Sequence, residues 1–444
     1  MKERKIIYLE RVLRFMAALI LKRHQPKIVG VTGSVGKSST KEAIFLVLKE
    51  KYNVRKNEEN YNNEIGIPLT IIGAKTGGRN PFKWLVVFIK WIWGLIFSFN
   101  YPEILILELA IDRPGDMKYL MSFIPIDVGV LTNISSSHLE FFKNIKEISK
   151  EKMVLIKSVK KNGLAVLNID NPFIREEKEK LNNLIVTYGF SEAADARVSD
   201  VRFNYDEKEQ LKGLSFKLNY KNKTIPLRLP NLVAKHQLYA ALVAVAVADY
   251  FKINLIDALK LLEEFKAPYG RMNLIKGINE SLIIDDTYNS SPASALAALN
   301  TLEQIEAKRR IVVLGDMLEL GAESEAGHRE VIKNVLEGKF DKLAVVGERM
   351  HQAAREFLGD DNVKSVLFFD SPIEAGKIIK NILEEGDLIL VKGSQSMRME
   401  KVVEQIMSEP ETAAKLLCRQ SKTWKSKEYK KPQNLQPCNI ERRN

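Results

Sequence analysis

Lys27-Ile-Val-Gly-Val-Thr32-Gly33-Ser34-Val35-Gly36-Lys37-Ser38-Ser39 decides how this chain folds. An apolar run over 27–32 predicts a buried strand, the two glycines predict a tight turn, and a helical pattern follows over 38–50. Small residues between a strand and a helix let backbone N–H groups close around phosphate oxygens, and the helix N-terminus adds partial positive charge. In such a loop Lys37 reaches the β- and γ-phosphates of a nucleotide, and the Ser38 hydroxyl faces its Mg²⁺. Val31 stands where the general phosphate-loop pattern has its first glycine, so the loop is a shortened form.

The strand–turn–helix unit recurs after this stretch. Further apolar strands are predicted at 104–109, 128–133, 282–286, 310–315, 342–347 and 388–392. Strands alternating with helical patterns imply parallel sheets covered by helices. Residues 195–230 alternate with period two instead, as in Leu214-Ser-Phe-Lys-Leu-Asn-Tyr220, which predicts an antiparallel patch. The expected fold class is α/β: a central P-loop-type parallel sheet with a small antiparallel patch, then a Rossmann-like α/β domain. The expected divisions are a helix in 1–26, a central domain over 27–270, a second domain over 271–408 and a disordered basic tail over 409–444. Pro268-Tyr-Gly-Arg271 marks the boundary between the two α/β domains.

The net charge of +12 raises the question of nucleic acid. Its distribution answers against it, because residues 409–444 hold nine Lys/Arg against four Asp/Glu and no recognition module accompanies the charge. Cys418 and Cys438 both fall in that tail, which leaves the expected domains without disulfide or cysteine-based metal site and fits a cytoplasmic protein. Residues 1–25 show no cleavable-signal pattern, since Arg11 and Arg14 interrupt the apolar positions.

Residues 4–23 read as an amphipathic helix with Arg4, Arg11, Arg14 and Lys22 on one arc, packed on the next domain or lying on a membrane surface. Residues 81–99, within an insertion at 74–100, are almost continuously apolar and contain three tryptophans. As a helix the apolar part is about 24 Å long, short of the ~30 Å bilayer core. A buried helix and an interfacial one are both open, and peripheral contact with the inner face of a membrane is the expectation carried by 4–23 and 81–99 together.

Beyond the loop, further segments are similar, in order, to those of the Mur ligase family. Asn60-Tyr-Asn62-Asn63-Glu-Ile-Gly-Ile-Pro-Leu-Thr70 resembles that family's N-x-N-N-x-I-G-V-P-x-T, and Thr132-Asn133-Ile-Ser-Ser-Ser-His138-Leu-Glu140 its T-N-I-x-x-x-H-L-E. Asp285-Asp286-Thr-Tyr288-Asn289-Ser-Ser-Pro292, Gly315-Asp-Met-Leu-Glu-Leu-Gly321 with His328, and Lys392-Gly-Ser394 with Arg398 resemble the branch of the family that adds D-alanyl-D-alanine.

The resemblance implies ATP and Mg²⁺ as cofactors. It implies Thr32 to Ser39 and Arg271 at the phosphates, and His236, Asp286, Tyr288 and Asn289 about the rest of the nucleotide. It further implies Ser38, Glu108, His138 and a carbamylated Lys152 as metal ligands, and Asn62, Asn63, Asn133, Lys392 and Arg398 at the substrates. Lys37, Lys152, His138 and Arg271 are its catalytic set. Lys150 competes with Lys152 for the carbamate, and Val154 stands where an acidic residue often follows. His236-Gln237-Leu-Tyr-Ala240 departs from the family's H-N-x-x-N, and only about 26 residues precede the first strand, where the family carries a UDP-binding domain.

The implied activity is an ATP-dependent amide ligation through an acyl-phosphate by a monomer, with a muropeptide-type acceptor and D-alanyl-D-alanine or another amino acid. The alternatives are a ligase with a different, lipid-linked acceptor and a P-loop phosphotransferase without ligation.

Overall fold

A computed structural model describes residues 4–58, 61–78, 80–97, 100–135, 141–142, 144–207, 209–362 and 366–425. The chain divides into two compact units, Met1–Ala267 and Pro268–Asn444.

The first unit is built on nine strands: β1 (27–32), β2 (54–56), β3 (104–108), β4 (126–131), β5 (159–168), β6 (184–189), β7 (196–205), β8 (211–220) and β9 (223–229). They lie in the order β2-β3-β1-β4-β5-β6-β7-β8-β9. Pairing is parallel from β2 through β7 and antiparallel from β7 to β9. The parallel sheet and the antiparallel patch are those the sequence predicts. β1, β3 and β4 are buried throughout or nearly so, which matches their unbroken apolar runs. Because β1 sits between β3 and β4, the chain leaves β1 to one side and returns on the other. Open α/β sheets bind ligands at such a reversal, beyond the C-terminal strand ends.

Helices cover both faces. α1 (Arg4–His24), α2 (Lys37–Leu48), α3 (Gly66–Ile72), α4 (Pro81–Ile96), α5 (Asp116–Met121) and α6 (Ile145–Lys157) come first in the chain. α2 and the helices Leu238–Tyr250 and Leu255–Leu262 bury one face of the sheet, with Ile44, Val47 and Leu242 fully enclosed. α1, α3, α5 and α6 bury the other through residues such as Ile20, Ile67, Met117 and Leu155. α1 is packed on the unit through Leu13, Met16, Ala17, Ile20 and Leu21, while Tyr8 and Phe15 point outward. α4 lies against α1 and α3, and Val87 is its one buried residue. Among the described residues no helix is long and apolar enough to cross a membrane.

The second unit has six strands, β10 (273–276), β11 (282–286), β12 (309–315), β13 (342–346), β14 (366–369) and β15 (387–392), in the order β10-β11-β15-β12-β13-β14. All pairs are parallel except β10 with β11, the layout of a Rossmann-like sheet.

One expectation fails here. The tail was to be disordered from Glu409 onward, yet its first part is built into the second unit. Ala413–Leu416 and Lys422–Lys425 are helical, and Leu417, Cys418 and Arg419 are buried. Composition misled because two strong local terms outweigh it. Ala413 and Leu417 join the apolar core, and Arg419 donates to the carboxylate of Glu400 from Nε and Nη2 at 3.0 and 2.7 Å. Arg398 donates from Nε to the other oxygen of Glu400 at 2.6 Å. Cys418, expected outside the folded domains, is an interior thiol.

Removing one partner of a buried ion pair leaves an uncompensated charge, at a cost of about 3–5 kcal/mol. Glu400→Ala should therefore lower the denaturant midpoint of the second unit markedly. Lys401→Ala, which breaks a half-exposed pair with Glu404, should shift it by less than about 1 kcal/mol. Urea titrations of both variants, followed by circular dichroism, check the contrast.

Candidate active site

The loop after β1 passes so close to the end of β4 that only glycine fits at its first position. A Cβ on Gly33, at φ 151°, would stand 2.0 Å from Oγ1 of Thr132 and 2.9 Å from the backbone nitrogen of Asn133. The loop is tied there by the Ser34 N–H donating to the Asn133 carbonyl (2.8 Å) and by the Thr132 hydroxyl donating to the Val35 carbonyl (2.5 Å). Ser34 Oγ donates to the Ser135 carbonyl (3.1 Å) and accepts from its N–H (3.0 Å). Gly36 adopts φ 85° as the cap of α2, with no side chain bonded to the helix's first N–H groups. Orphan donors at the start of a twelve-residue helix make an anion site. Lys37 folds back over the loop, donating to the Gly33 carbonyl (2.9 Å) and the Ser34 carbonyl (3.4 Å). The geometry fits nucleotide phosphates.

Glu108, at the end of β3, is buried and held from four directions. Its Oε1 accepts from the Ser38 hydroxyl at 3.2 Å, and its Oε2 lies 3.3 Å from Nζ of Lys41. Asn57 completes the clamp, accepting the Glu108 N–H (2.8 Å) and donating to its carbonyl (3.2 Å). Lys41 is itself buried and donates to the Asn57 carbonyl at 3.0 Å. The serine hydroxyl and one carboxylate oxygen thus converge at the mouth of the phosphate loop. One carboxylate and a hydroxyl, with phosphates and water, suit Mg²⁺. Among the described residues no group of three or more His, Cys, Asp or Glu gathers as a metal cluster. His138, expected as a second-site ligand, lies outside the described residues.

Lys152 is 2% exposed on the inner face of α6. Burial, reinforced by the positive charge of Lys37, holds its pKa well below the ordinary lysine value, against weaker opposition from Asp112 and Glu151. Lys150 is exposed on another face of the same helix. Of the two, Lys152 is the buried one, and burial disfavours its ammonium form.

Other expected residues have structural partners. Asn63 caps α3, its Oδ1 accepting from the N–H groups of Ile65 (3.2 Å) and Gly66 (2.9 Å). The Asn62 carbonyl accepts the Ala110 N–H at 3.0 Å, and Asn133 Oδ1 accepts from Asn171 at 2.8 Å. His236 is exposed, at the start of the turn leading to helix Leu238–Tyr250. Gln237 bends back so that its Oε1 accepts the Val233 and Ala234 N–H groups, both at 2.9 Å. Ala240 is enclosed in the core. The departures at 237 and 240 are therefore packing solutions in this chain.

In the second unit, Asp286 ends β11 and Lys392 ends the adjacent β15. Lys392 Nζ donates to Asp286 Oδ2 at 2.6 Å and to the Asn289 carbonyl at 2.9 Å. Burial lowers the pKa of Lys392, and the Asp286 carboxylate resists the change. The Arg271 guanidinium lies 4.1 Å from the ring centroid of Tyr288, so two residues singled out separately form one stacked pair. Arg398 is 5% exposed and committed to Glu400 and to the Trp424 carbonyl (3.2 Å). Arg419 holds the turn after β11 through the carbonyls of Tyr288 (3.0 Å) and Thr287 (2.5 Å).

His328 accepts the Met317 N–H on Nε2 (2.9 Å), which leaves Nδ1 to donate to the Ser324 carbonyl (2.6 Å). The ring is neutral, and burial lowers its pKa to about 4. Asp285 is fully buried with Oδ2 lacking a hydrogen-bond partner, and burial raises its pKa to about 7.

Sequence reasoning missed Lys41, Asn57, Glu400 and Arg419. Lys41 had a signal, since it stands one helical turn beyond Lys37 and so shares its face; the others had none.

A phosphate loop at the reversal point of one parallel sheet, with a second open α/β sheet behind it in the chain, defines an ATP-using enzyme of two α/β units. The family models agree. The Mur ligase middle domain matches residues 31–248, and the Mur ligase glutamate ligase domain matches 270–395. The chain belongs to the Mur ligase family and is an ATP-dependent carbon–nitrogen ligase. It is 29% identical over 399 residues to the UDP-N-acetylmuramoyl-tripeptide–D-alanyl-D-alanine ligase of Bacillus subtilis, covering 90% of this chain and 79% of that one. The enzyme of the same name from Rickettsia prowazekii is 28% identical, with 88% and 80% covered. The MurF ligase of Thermotoga maritima in complex with ADP superposes with a TM-score of 0.74 at 28% identity, over 91% of this chain and 85% of that one.

The His328 value gives a pH dependence with a definite sign. Its folded pKa of about 4 lies below the unfolded value of about 6.5. The unfolded chain therefore binds the proton first, and the contribution of His328 is complete above about pH 6.5 and lost as pH falls toward 4. Asp285, raised to about 7, acts with the opposite sign over an overlapping range. The difference in Tm between wild type and His328→Gln should consequently shrink as pH is lowered from 7 to 4; a constant difference would contradict a neutral, buried ring.

Proposed function

We propose that this chain joins D-alanyl-D-alanine to the free carboxylate of a muramoyl-tripeptide precursor in peptidoglycan synthesis. The observation that carries the reading is the likeness, over 90% of the chain, to ligases named for that reaction. It is supported by the motif 285–292, whose Asp286 is clamped by Lys392 at the end of β15. The acceptor carboxylate attacks the γ-phosphorus of ATP, releasing ADP and forming an acyl-phosphate. The amine of D-alanyl-D-alanine then adds to the acyl carbon, and phosphate leaves as the amide forms.

The chain's own groups serve by position and charge. The loop N–H groups and Lys37 bind the phosphates and oppose the charge that develops on the transferring phosphoryl group. Ser38 and Glu108 would hold Mg²⁺, which supplies further neutralisation of the β- and γ-phosphates. Lys41 holds Oε2 of Glu108 and Asn57 its backbone, which leaves Oε1 toward Ser38 and the loop. Asp286 is proposed to accept from the ribose hydroxyls.

The uncharged amine of Lys152 attacks CO₂, an N–C bond forms and the displaced proton goes to solvent, leaving a carbamate anion. Burial beside the charge of Lys37 supports this assignment: it suppresses the ammonium form and places a cation where the anion would appear.

ADP release should require both a UDP-muramoyl-tripeptide and D-alanyl-D-alanine. Lys37→Ala should reduce turnover by about 10²–10³. Lys152→Ala should be damaged to a similar degree and partly restored by short carboxylates, with exposed Lys150→Ala active. A silent Lys152→Ala would sink the carbamate. ADP release indifferent to the dipeptide would sink the assigned reaction.

A further inference from the structure

α4 is apolar on both sides. One side carries Trp84, Val87 and Trp91, which pack with Leu13, Met16 and Leu69. Trp91 Nε1 donates to the Met16 carbonyl at 3.0 Å, and the Gly94 carbonyl is bonded to the ring of His24 at 2.7 Å. The helix is therefore fixed to the unit by its inner face. The opposite side repeats at helical spacing through Phe82, Leu85, Val86, Ile89, Ile92, Trp93 and Ile96, all exposed, with Phe82 at 77% and Trp93 and Ile96 at 62%. α1, packed beside it, has a second outward stripe of Tyr8, Val12 and Phe15, with Phe15 60% exposed. An aligned stripe of this size has a large cost in water and marks a surface that is covered when the protein works.

The exposed charge on the two helices has a single sign, while Lys75, before α4, pairs with Glu58 at 3.4 Å. Between Glu64 and Glu103 the sequence has no acidic residue and four basic ones, Lys75, Arg79, Lys83 and Lys90. α1 carries Arg4, Lys5, Arg11, Arg14, Lys22 and Arg23, and its single acid, Glu10, is buried. Lys83 and Lys90 fall on one flank of the α4 stripe, Arg11 and Lys22 beside that of α1. A helix with an apolar outer stripe and basic flanks, too short to span, lies in a headgroup layer.

We propose that the outer faces of α4 and α1 dock this enzyme on an anionic lipid surface, with Phe82, Ile89, Trp93 and Ile96 among the acyl chains and the lysines at the headgroups. The docking goes beyond the ligase reading and is independent of it, since the faces use none of the phosphate-loop residues.

The test uses the full chain and vesicles of phosphatidylcholine with or without about a third phosphatidylglycerol. The wild type should co-sediment with the anionic vesicles at low salt and weaken as salt rises. Brominated acyl chains should quench tryptophan emission, and Trp93→Phe should remove most of that quenching. Phe82→Glu and Ile89→Glu should each reduce binding at least about tenfold. Lys83→Gln and Lys90→Gln should each reduce it about fivefold. ATP turnover of these variants in detergent-free solution should remain that of the wild type, which separates failure of docking from failure of the ligase.

No binding to anionic vesicles at low salt overturns the proposal. So does binding that Phe82→Glu and Ile89→Glu retain, because attraction by net charge alone would then explain it. Concentration-dependent dimerisation without lipid, abolished by the same variants, would assign the face to a second copy instead.

Discussion

The contact between Gly33 and the end of β4 is the constraint on which the first unit's chemistry depends. With a gap of 2.0 Å between any Cβ there and the Thr132 hydroxyl, the loop has one path, and that path aims the first N–H groups of α2 outward. The strand order does the rest. Because β3 and β4 flank β1, Glu108 and Thr132 arrive at the same edge without any long-range loop to deliver them. Ser38 then meets Glu108 across 3.2 Å as a consequence of sheet register rather than of a special local conformation.

Charge is the second organising term. Lys41, Lys152 and Lys392 are all nearly inaccessible to water, and each is treated differently by its surroundings. Lys41 and Lys392 face carboxylates, Glu108 at 3.3 Å and Asp286 at 2.6 Å, and act as positioning elements. Lys152 has a lysine as its strongest charged neighbour. The same side chain thus pairs with a carboxylate at two positions and is buried near another lysine at the third.

Much of this was legible in the sequence. β1, β3, β4, β11, β12, β13, β15 and the antiparallel patch follow from unbroken apolar runs and period-two alternation, because burial on two faces or one imposes those patterns directly, whereas β2, β5, β6, β10 and β14 lie outside the strands the sequence predicts. The phosphate loop was legible from its glycines between strand and helix, whereas the pairing of Asp286 with Lys392 was not, since the resemblance implied Asp286 at the nucleotide and Lys392 at the substrates. Two further kinds of feature were not legible. The C-terminal segment through Lys425 reads as polar because its anchoring charge, Arg419, is balanced by Glu400 nineteen residues away, and no local pattern announces such a pairing. Likewise nothing in the departure at Gln237 announces that its amide oxygen accepts from two backbone N–H groups of the preceding turn.

The docking of that C-terminal segment has a chemical corollary. Cys418 sits between Thr287 and Gly270, and burial pushes its thiol up to about 12. The thiolate is the reactive form, so at neutral pH this sulfur is shielded twice, from solvent and from ionisation. Its rate of alkylation then becomes a clock for the lifting of the segment away from Thr287 and Tyr288. A maleimide, which touches no part of the phosphate loop, would time the local opening of the turn after β11.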